Sequence, residues 1–384
     1  MARRLRGDRA DHARQHHAAC GHRCRHPRIA EGSFGRRGAD FHDGPESAQP
    51  MKGFLRMNTG FQVRIAILVT LLIGLSSSIP GFLSLANASS VIENVGLIGL
   101  VGTGIMLTMI VGQLDLAVAS VAAVAAIMAL SLAGDSLPLG IVVALVMAGL
   151  YGAVIGYVID RTGVNSLVLT VCMLIALRGL ALVMTPDRPA ILPFEMFWVS
   201  DGLVAQWGPL TLMGIICLVA IGCVGLALRH TKLGLSMYAV GGNPERARGS
   251  GVSTARVYMA AFAGSAMLGA AAGILAALRS GSASGLGFES FLLAGITVAV
   301  VGGIPLEGGR GTVVNVLLGA LIIRLISSAV ALGGIPGSFE SIAVGGILLA
   351  MLLLDYGLGR RRQSGAARSR AAALQNPSTH TNGG

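Results

Sequence analysis

The sequence predicts an all-α membrane protein, a polytopic helical bundle of about ten transmembrane helices with both termini cytoplasmic. Three observations predict it. Hydrophobic residues make up 53% of the 384-residue chain and charged residues only 12%, about half the ~25% charged content of an ordinary soluble domain. Apolar stretches recur at lengths near the ~20 residues that a helix needs to cross a bilayer. Basic residues gather at alternate ends of those stretches, as the positive-inside rule requires.

The first fifty residues stand apart. They hold ten arginines and six of the eight histidines, with almost no aliphatic periodicity, and such a composition cannot bury a core. Residues 1–56 are therefore expected to be a disordered basic extension, or an artefact of a start site that lies later, at Met51 or Met57. No 7–15-residue apolar core follows the basic run, so a secretory signal fits poorly. Cys20, His22, Cys24 and His26 alternate without a second ligand pair, which is poor spacing for zinc. No metal site is expected. The transmembrane domain is expected over 57–358, with a disordered cytoplasmic tail over 359–384.

In chain order, apolar segments run near 63–80, 91–111, 115–133, 139–159, 165–185, 209–228, 257–278, 289–305, 312–333 and 339–356. Each must be helical in lipid, where open backbone groups find no water. With a cytoplasmic N-terminus, the inner loops carry Arg64, Arg161, Arg229, Lys232, Arg246, Arg248, Arg256, Arg310 and Arg360 to Arg362, eleven charges. The outer loops carry two, Arg188 and Arg279. The same distribution excludes a nucleic-acid surface, because the net charge of +11 is spent on topology and on the N-terminal run. Cys172, Cys217 and Cys223 fall inside apolar segments, where thiols pack as small hydrophobes.

Glycines stud the second, fourth and seventh segments: Gly96, Gly99, Gly102 and Gly104; Gly149, Gly152 and Gly156; Gly264, Gly269 and Gly273. Such spacing predicts close helix–helix approach. The outer loop 186–208 carries Trp198 and Trp207, expected as interfacial anchors or, alternatively, as contacts for an extracytoplasmic protein. The longest inner loop, 229–256, holds Gly241-Gly242-Asn243 turn chemistry. Asn243-Pro244 then predicts a short helix with Glu245 in its first turn and Arg246 and Arg248 behind. Asp115 is expected to cap the third segment, with substrate contact as the rival reading. Arg178 and Arg324 lie within segments and need a partner, a cavity or a snorkelling path.

Four stretches carry a family resemblance. Gly112-Gln113-Leu114-Asp115-Leu116-Ala117-Val118-Ala119-Ser120 resembles the glycine-glycine-x-aspartate-leucine-serine-x-glycine-serine segment of the ribose-type sugar permeases of bacterial ABC importers, with Gln113, Ala117 and Ala119 departing from it. Val164 to Thr185, with Asn165, Ser166, Thr170, Arg178 and Gly179, looks like a second family segment. Tyr238 to Val252 closely resembles the family's cytoplasmic docking loop. Val301 to Gly311, with Gly308-Gly309-Arg310-Gly311, matches a fourth segment. The likeness spans about residues 60–356 in the right order.

The resemblance implies a type II ABC importer-like fold and a permease subunit in a bacterial inner membrane. It implies a pathway for a sugar or polyol, a periplasmic substrate-binding protein, a cytoplasmic ATPase subunit and a second permease copy. It places the ATPase-docking loop at Gly241, Gly242, Asn243, Pro244, Glu245, Arg246 and Arg248. It marks Gly112, Asp115, Ser120, Arg178, Gly308, Gly309 and Arg310 as motif positions without assigning their roles. No Walker pattern and no catalytic signature is present in the chain, so ATP belongs to another polypeptide and no catalytic residue or cofactor is expected here. A branched-chain amino acid permease is the near alternative. An ion-coupled secondary transporter is the distant one, disfavoured by the scarcity of acids and histidines within the segments.

Overall fold

A computed structural model describes residues 59–351 and 353. The expected extension (1–56), its cysteine and histidine cluster, and the expected tail (359–384) lie outside the described residues.

The described chain is helical almost throughout. Its helices are α1 (Thr59–Ser78), α2 (Leu85–Ile110), α3 (Val118–Ser131), α4 (Ala133–Thr162), α5 (Ser166–Met184), α6 (Phe197–Val204), α7 (Leu212–His230), α8 (Lys232–Gly242), α9 (Pro244–Gly249), α10 (Thr254–Ser280), α11 (Glu289–Val301), α12 (Val313–Leu332) and α13 (Ser338–Met351). Two antiparallel ribbons of two-residue strands complete the fold, Ala190–Ile191 with Ser282–Ala283 and Gln206–Trp207 with Leu210–Thr211.

All ten expected segments are helical, but they are not equivalent. Among the described residues, seven helices (α1, α2, α4, α5, α7, α10 and α12) are long and apolar enough to cross a membrane, whereas α3, α11 and α13 are apolar but shorter. At 1.5 Å per residue α3 spans only about 21 Å, short of the ~30 Å hydrocarbon layer. Where about ten transmembrane helices are expected, the described residues hold seven long apolar helices and three shorter ones. The physical reason is that α3 and the C-terminal half of α11 pack inside the bundle, where irregular backbone is sheltered by protein rather than lipid. Eleven of the fourteen residues of α3 are buried, most of them alanine or valine.

The bundle is organised around α10, which packs on α4, α3 and α2. Glycine permits this. A Cβ on Gly152 or Gly156 of α4 would run into the α10 backbone at Phe262 and Tyr258, and one on Gly273 of α10 would meet the Ala122 carbonyl of α3. These residues bring backbones together as the spacing anticipated. Local signals set the helix ends. The Ser84 hydroxyl accepts from Asn87 N–H and starts α2 several residues before the expected 91. Ser136 leaves helical geometry (φ −165°, ψ 108°), so Pro138 of α4 lies in the first turn of a restarted helix, where its missing N–H costs nothing.

Contacts sort the connections into two ends. At one end lie the α2–α3, α4–α5 and α11–α12 links together with α8 and α9. Arg246 and Arg248 lie on α9 and Arg310 on the α11–α12 link, while Arg161, Arg229 and Arg256 lie at the adjoining ends of α4, α7 and α10, so this is the basic end. At the far end lie α6 and both ribbons. There Gln206 donates to the Ser89 hydroxyl at 3.3 Å, and the Ser328 hydroxyl donates to Asn87 at 2.7 Å. Arg64, expected simply as an inner-loop charge, is instead buried in α1 and donates from Nε to the Val301 carbonyl at 2.8 Å. A cation is favourable at the C-terminus of α11.

Candidate functional site

The α8–α9 knob is built on two capping residues, Thr231 and Asn243. The Thr231 hydroxyl ends α7 and starts α8, accepting from Gly234 N–H at 3.1 Å. Asn243 is extended and its Oδ1 accepts from Arg246 N–H at 2.8 Å. Pro244 occupies the first turn of α9, Glu245 follows it, and Arg246 and Arg248 fall in the last turn, each sign of charge where the helix dipole favours it. The short helix expected from Asn243-Pro244 is therefore present, and α8 is an addition to that expectation.

The knob's two sides differ. Pro244, Glu245 and Arg246 are exposed while Ala247 is buried. Arg248 turns back to the bundle: Nη2 donates to Asp160 Oδ1 at 3.1 Å and Nε to the Thr254 hydroxyl at 2.9 Å, and that hydroxyl donates to Asp160 at 2.5 Å. On the other side α8 meets two irregular links. Gly241 lies so close to the Ile110 carbonyl that a Cβ would overlap it. The same carbonyl accepts from Gly309 N–H at 2.8 Å. The Tyr238 hydroxyl donates to the Gly311 carbonyl at 2.7 Å. Burial raises the Tyr238 phenol above its ordinary value near 10, so it stays a donor. Gly112 and Gly308 have φ of 75° and 88°, and they face each other closely enough that a Cβ on Gly308 would lie 2.8 Å from Gly112. Arg310 is exposed beside them.

The α2–α3 link continues inward from this junction. Asp115 is 2% exposed. It accepts from Ala117 N–H at 3.0 Å and from the Ser265 hydroxyl of α10 at 2.8 Å. It shapes the turn before α3 but is not its N-cap; that position is Ala117, with no side-chain cap bond. Leu114 N–H donates to the Ser166 hydroxyl at 3.2 Å, and the Ser120 hydroxyl donates to the Leu174 carbonyl of α5 at 2.9 Å. An open pocket of about 580 Å³ lies here, between Gly112–Leu114, Gly163–Leu167 and Leu306.

All four sequence motifs thus touch one another at the basic end. Of the singled-out residues, Gly112, Asp115, Ser120, Gly241 to Arg248 and Gly308 to Arg310 belong to this region. Arg178 does not. It sits at the far end, 2.5 Å from Glu289, with both side chains about half exposed. Arg279 pairs there with the buried Glu93, and Arg324 lies 3.9 Å from Glu340. The acids of these pairs went unrecognised in the sequence. Glu93 had a readable signal, since it falls inside the second apolar segment and an acid there requires a partner. Phe194, Trp198 and Trp207 are exposed at this end, in keeping with interfacial anchoring.

Over residues 87–352 the chain matches the family described as branched-chain amino acid transport system / permease component. The chain belongs to that family. This permease is 30% identical over 308 residues to the ribose import permease protein of Haemophilus influenzae, covering 78% of the chain and 94% of that relative. It is 30% identical over 306 residues to the L-arabinose ABC transporter permease protein of Azospirillum brasilense (78% and 88% covered). It is 31% identical over 301 residues to the autoinducer 2 import system permease protein of Photorhabdus luminescens (77% and 89%). No solved structure matches it. The protein is a multi-pass membrane permease of a bacterial ABC importer, a transport subunit rather than an enzyme, in a family without cofactors.

Proposed function

We propose that this permease forms the translocation pathway for a sugar or related polyol. A periplasmic binding protein delivers the substrate, and a separate cytoplasmic ATPase subunit hydrolyses ATP. The observation that carries the reading is the exposed Pro244–Arg246 surface of α9, which directly follows α8, the helix whose Gly241 rests on the Ile110 and Gly309 backbone. Gly241, Gly242 and Asn243 shape the knob, Glu245 and Arg246 present its charges to the ATPase, and Arg248 braces it against Asp160. In this reading the basic end faces the cytoplasm, as the positive-inside rule favours, and both termini lie on that side of a type II importer-like bundle. Residues 57–358 make up the permease domain, and the ten apolar helices thread it across the membrane, some only part-way. The exposed apolar faces of α1 and α5 serve lipid and a second permease copy.

The choice of sugar follows the relatives named for ribose and L-arabinose, each 30% identical to this chain. A branched-chain amino acid is the second reading, favoured by the family's own description. Uptake of labelled ribose, arabinose and leucine into proteoliposomes holding the permease, its ATPase and its binding protein separates the two. ATP-dependent accumulation of a sugar is expected. Accumulation of leucine alone, or uptake driven by an ion gradient without the ATPase, would overturn the proposal.

A further inference from the structure

The contact between the knob and the bundle is made at a junction in which main chain lies directly against main chain. Gly241 sits on the Ile110 carbonyl with no space for a side chain, Gly309 donates to that same carbonyl at 2.8 Å, and Gly308 faces Gly112. Tyr238, one turn before Gly241 on α8, donates to Gly311 at 2.7 Å. Close-packed backbone has little room to absorb a displacement, whereas long side chains give way through their rotamers. The opposite attachment of the knob is of that second kind: it runs through the half-exposed Arg248 side chain to Asp160.

From the junction two routes lead onward. The α2–α3 link reaches α5 through Leu114 N–H and Ser166 at 3.2 Å, and α10 through Asp115 and Ser265 at 2.8 Å. The α11–α12 link is anchored at its start where Arg64 of α1 donates to Val301 at 2.8 Å. One element, α8, thereby touches two of the links at the bundle's basic end.

We infer that Gly241 and Tyr238 are positioning residues for coupling, seating the α8–α9 knob on the Ile110–Gly112 and Gly308–Gly311 backbones so that its movement shifts the α2–α3 and α11–α12 links together. The inference rests on the docking reading above and adds the place where force leaves the knob. Arg248 braces the knob but is not the transmitting contact.

The test uses the assembled complex of permease, ATPase and binding protein in proteoliposomes, with uptake and ATP hydrolysis measured on the same vesicles. Tyr238→Phe removes one hydroxyl and keeps the ring. Gly241→Ala forces the junction apart, and Gly222→Ala on α7, where a Cβ meets nothing within 4 Å, is the control. Tyr238→Phe is expected to lower substrate moved per ATP hydrolysed about fivefold, the equivalent of one hydrogen bond. Gly241→Ala is expected to lower that ratio more, with the ATPase still bound, and Gly222→Ala to leave it unchanged. If Gly241→Ala does not accumulate, Tyr238→Phe decides alone. An unchanged ratio in Tyr238→Phe, or a fall of uptake and hydrolysis in parallel, overturns the inference. Failure of the docking reading looks different: the permease carrying Glu245→Lys and Arg246→Glu would then assemble with its ATPase as well as the unmodified permease does.

Discussion

The Ser265 hydroxyl of α10 donates to the Asp115 carboxyl across 2.8 Å and 150 residues of sequence. Both groups are buried, and the bond fastens the non-helical link between α2 and α3 to the central helix of the bundle. Ser265→Ala removes the donor and leaves a buried carboxyl oxygen without that partner. The expected cost is about 1–3 kcal/mol, read as a lower thermal midpoint in detergent. Transport per folded molecule is expected to hold once abundance is matched. A variant of normal stability with lost uptake would instead place Asp115 and Ser265 in the pathway.

Ion pairs at the far end separate by burial. Glu93 is 4% exposed and pairs with Arg279, so Arg279→Ala strands a buried carboxylate and is expected to cost about 3–5 kcal/mol. Glu93→Gln in the same chain should recover part of that loss. Arg178 and Glu289 are both half-exposed, and Arg178→Ala is expected to cost about 0–1 kcal/mol. Equal midpoints for the two arginine variants would refute the distinction.

Helix contact predicts which glycines matter. Gly152→Leu would push α4 off the α10 backbone, and little folded protein is expected in the membrane fraction. Gly222 of α7 is exposed and a Cβ there meets nothing within 4 Å, so Gly222→Leu is expected to accumulate normally. Monodisperse protein in size-exclusion chromatography is the measurement.

Asn243→Ala deletes the cap of α9, whose Oδ1 accepts from Arg246 N–H at 2.8 Å. The expected loss is about 1 kcal/mol of local helix stability. If α9 docks the ATPase, co-purification should fall about fivefold at limiting ATPase, and Asn243→Asp, which keeps the acceptor, should restore it.

Much of the site was legible because its signals are local. Asn243, Pro244 and Glu245 state a helix start in three consecutive residues, and the structure forms that helix. The glycine pair 308–309 marks a turn for the same reason, whereas Gly241 and Gly242, read as turn residues, are the helical end of α8. What escaped were relations between distant residues. Tyr238 finds Gly311, Asp115 finds Ser265, Arg279 finds Glu93 and Arg64 finds Val301, and no spacing rule connects such pairs.

By itself, then, the sequence determined that this is a helical membrane protein, which segments are apolar helices and which end is basic, because hydropathy and charge are summed along the chain. Only the tertiary structure decided that α3 is buried within the bundle while α1 and α5 bury little of their length. Lipid and protein interior are nearly alike as solvents for alanine and valine, so hydropathy does not tell them apart. It also decided that Gly241 rests on Ile110, since a close approach of two backbones depends on the path of both helices and leaves no trace in either one alone.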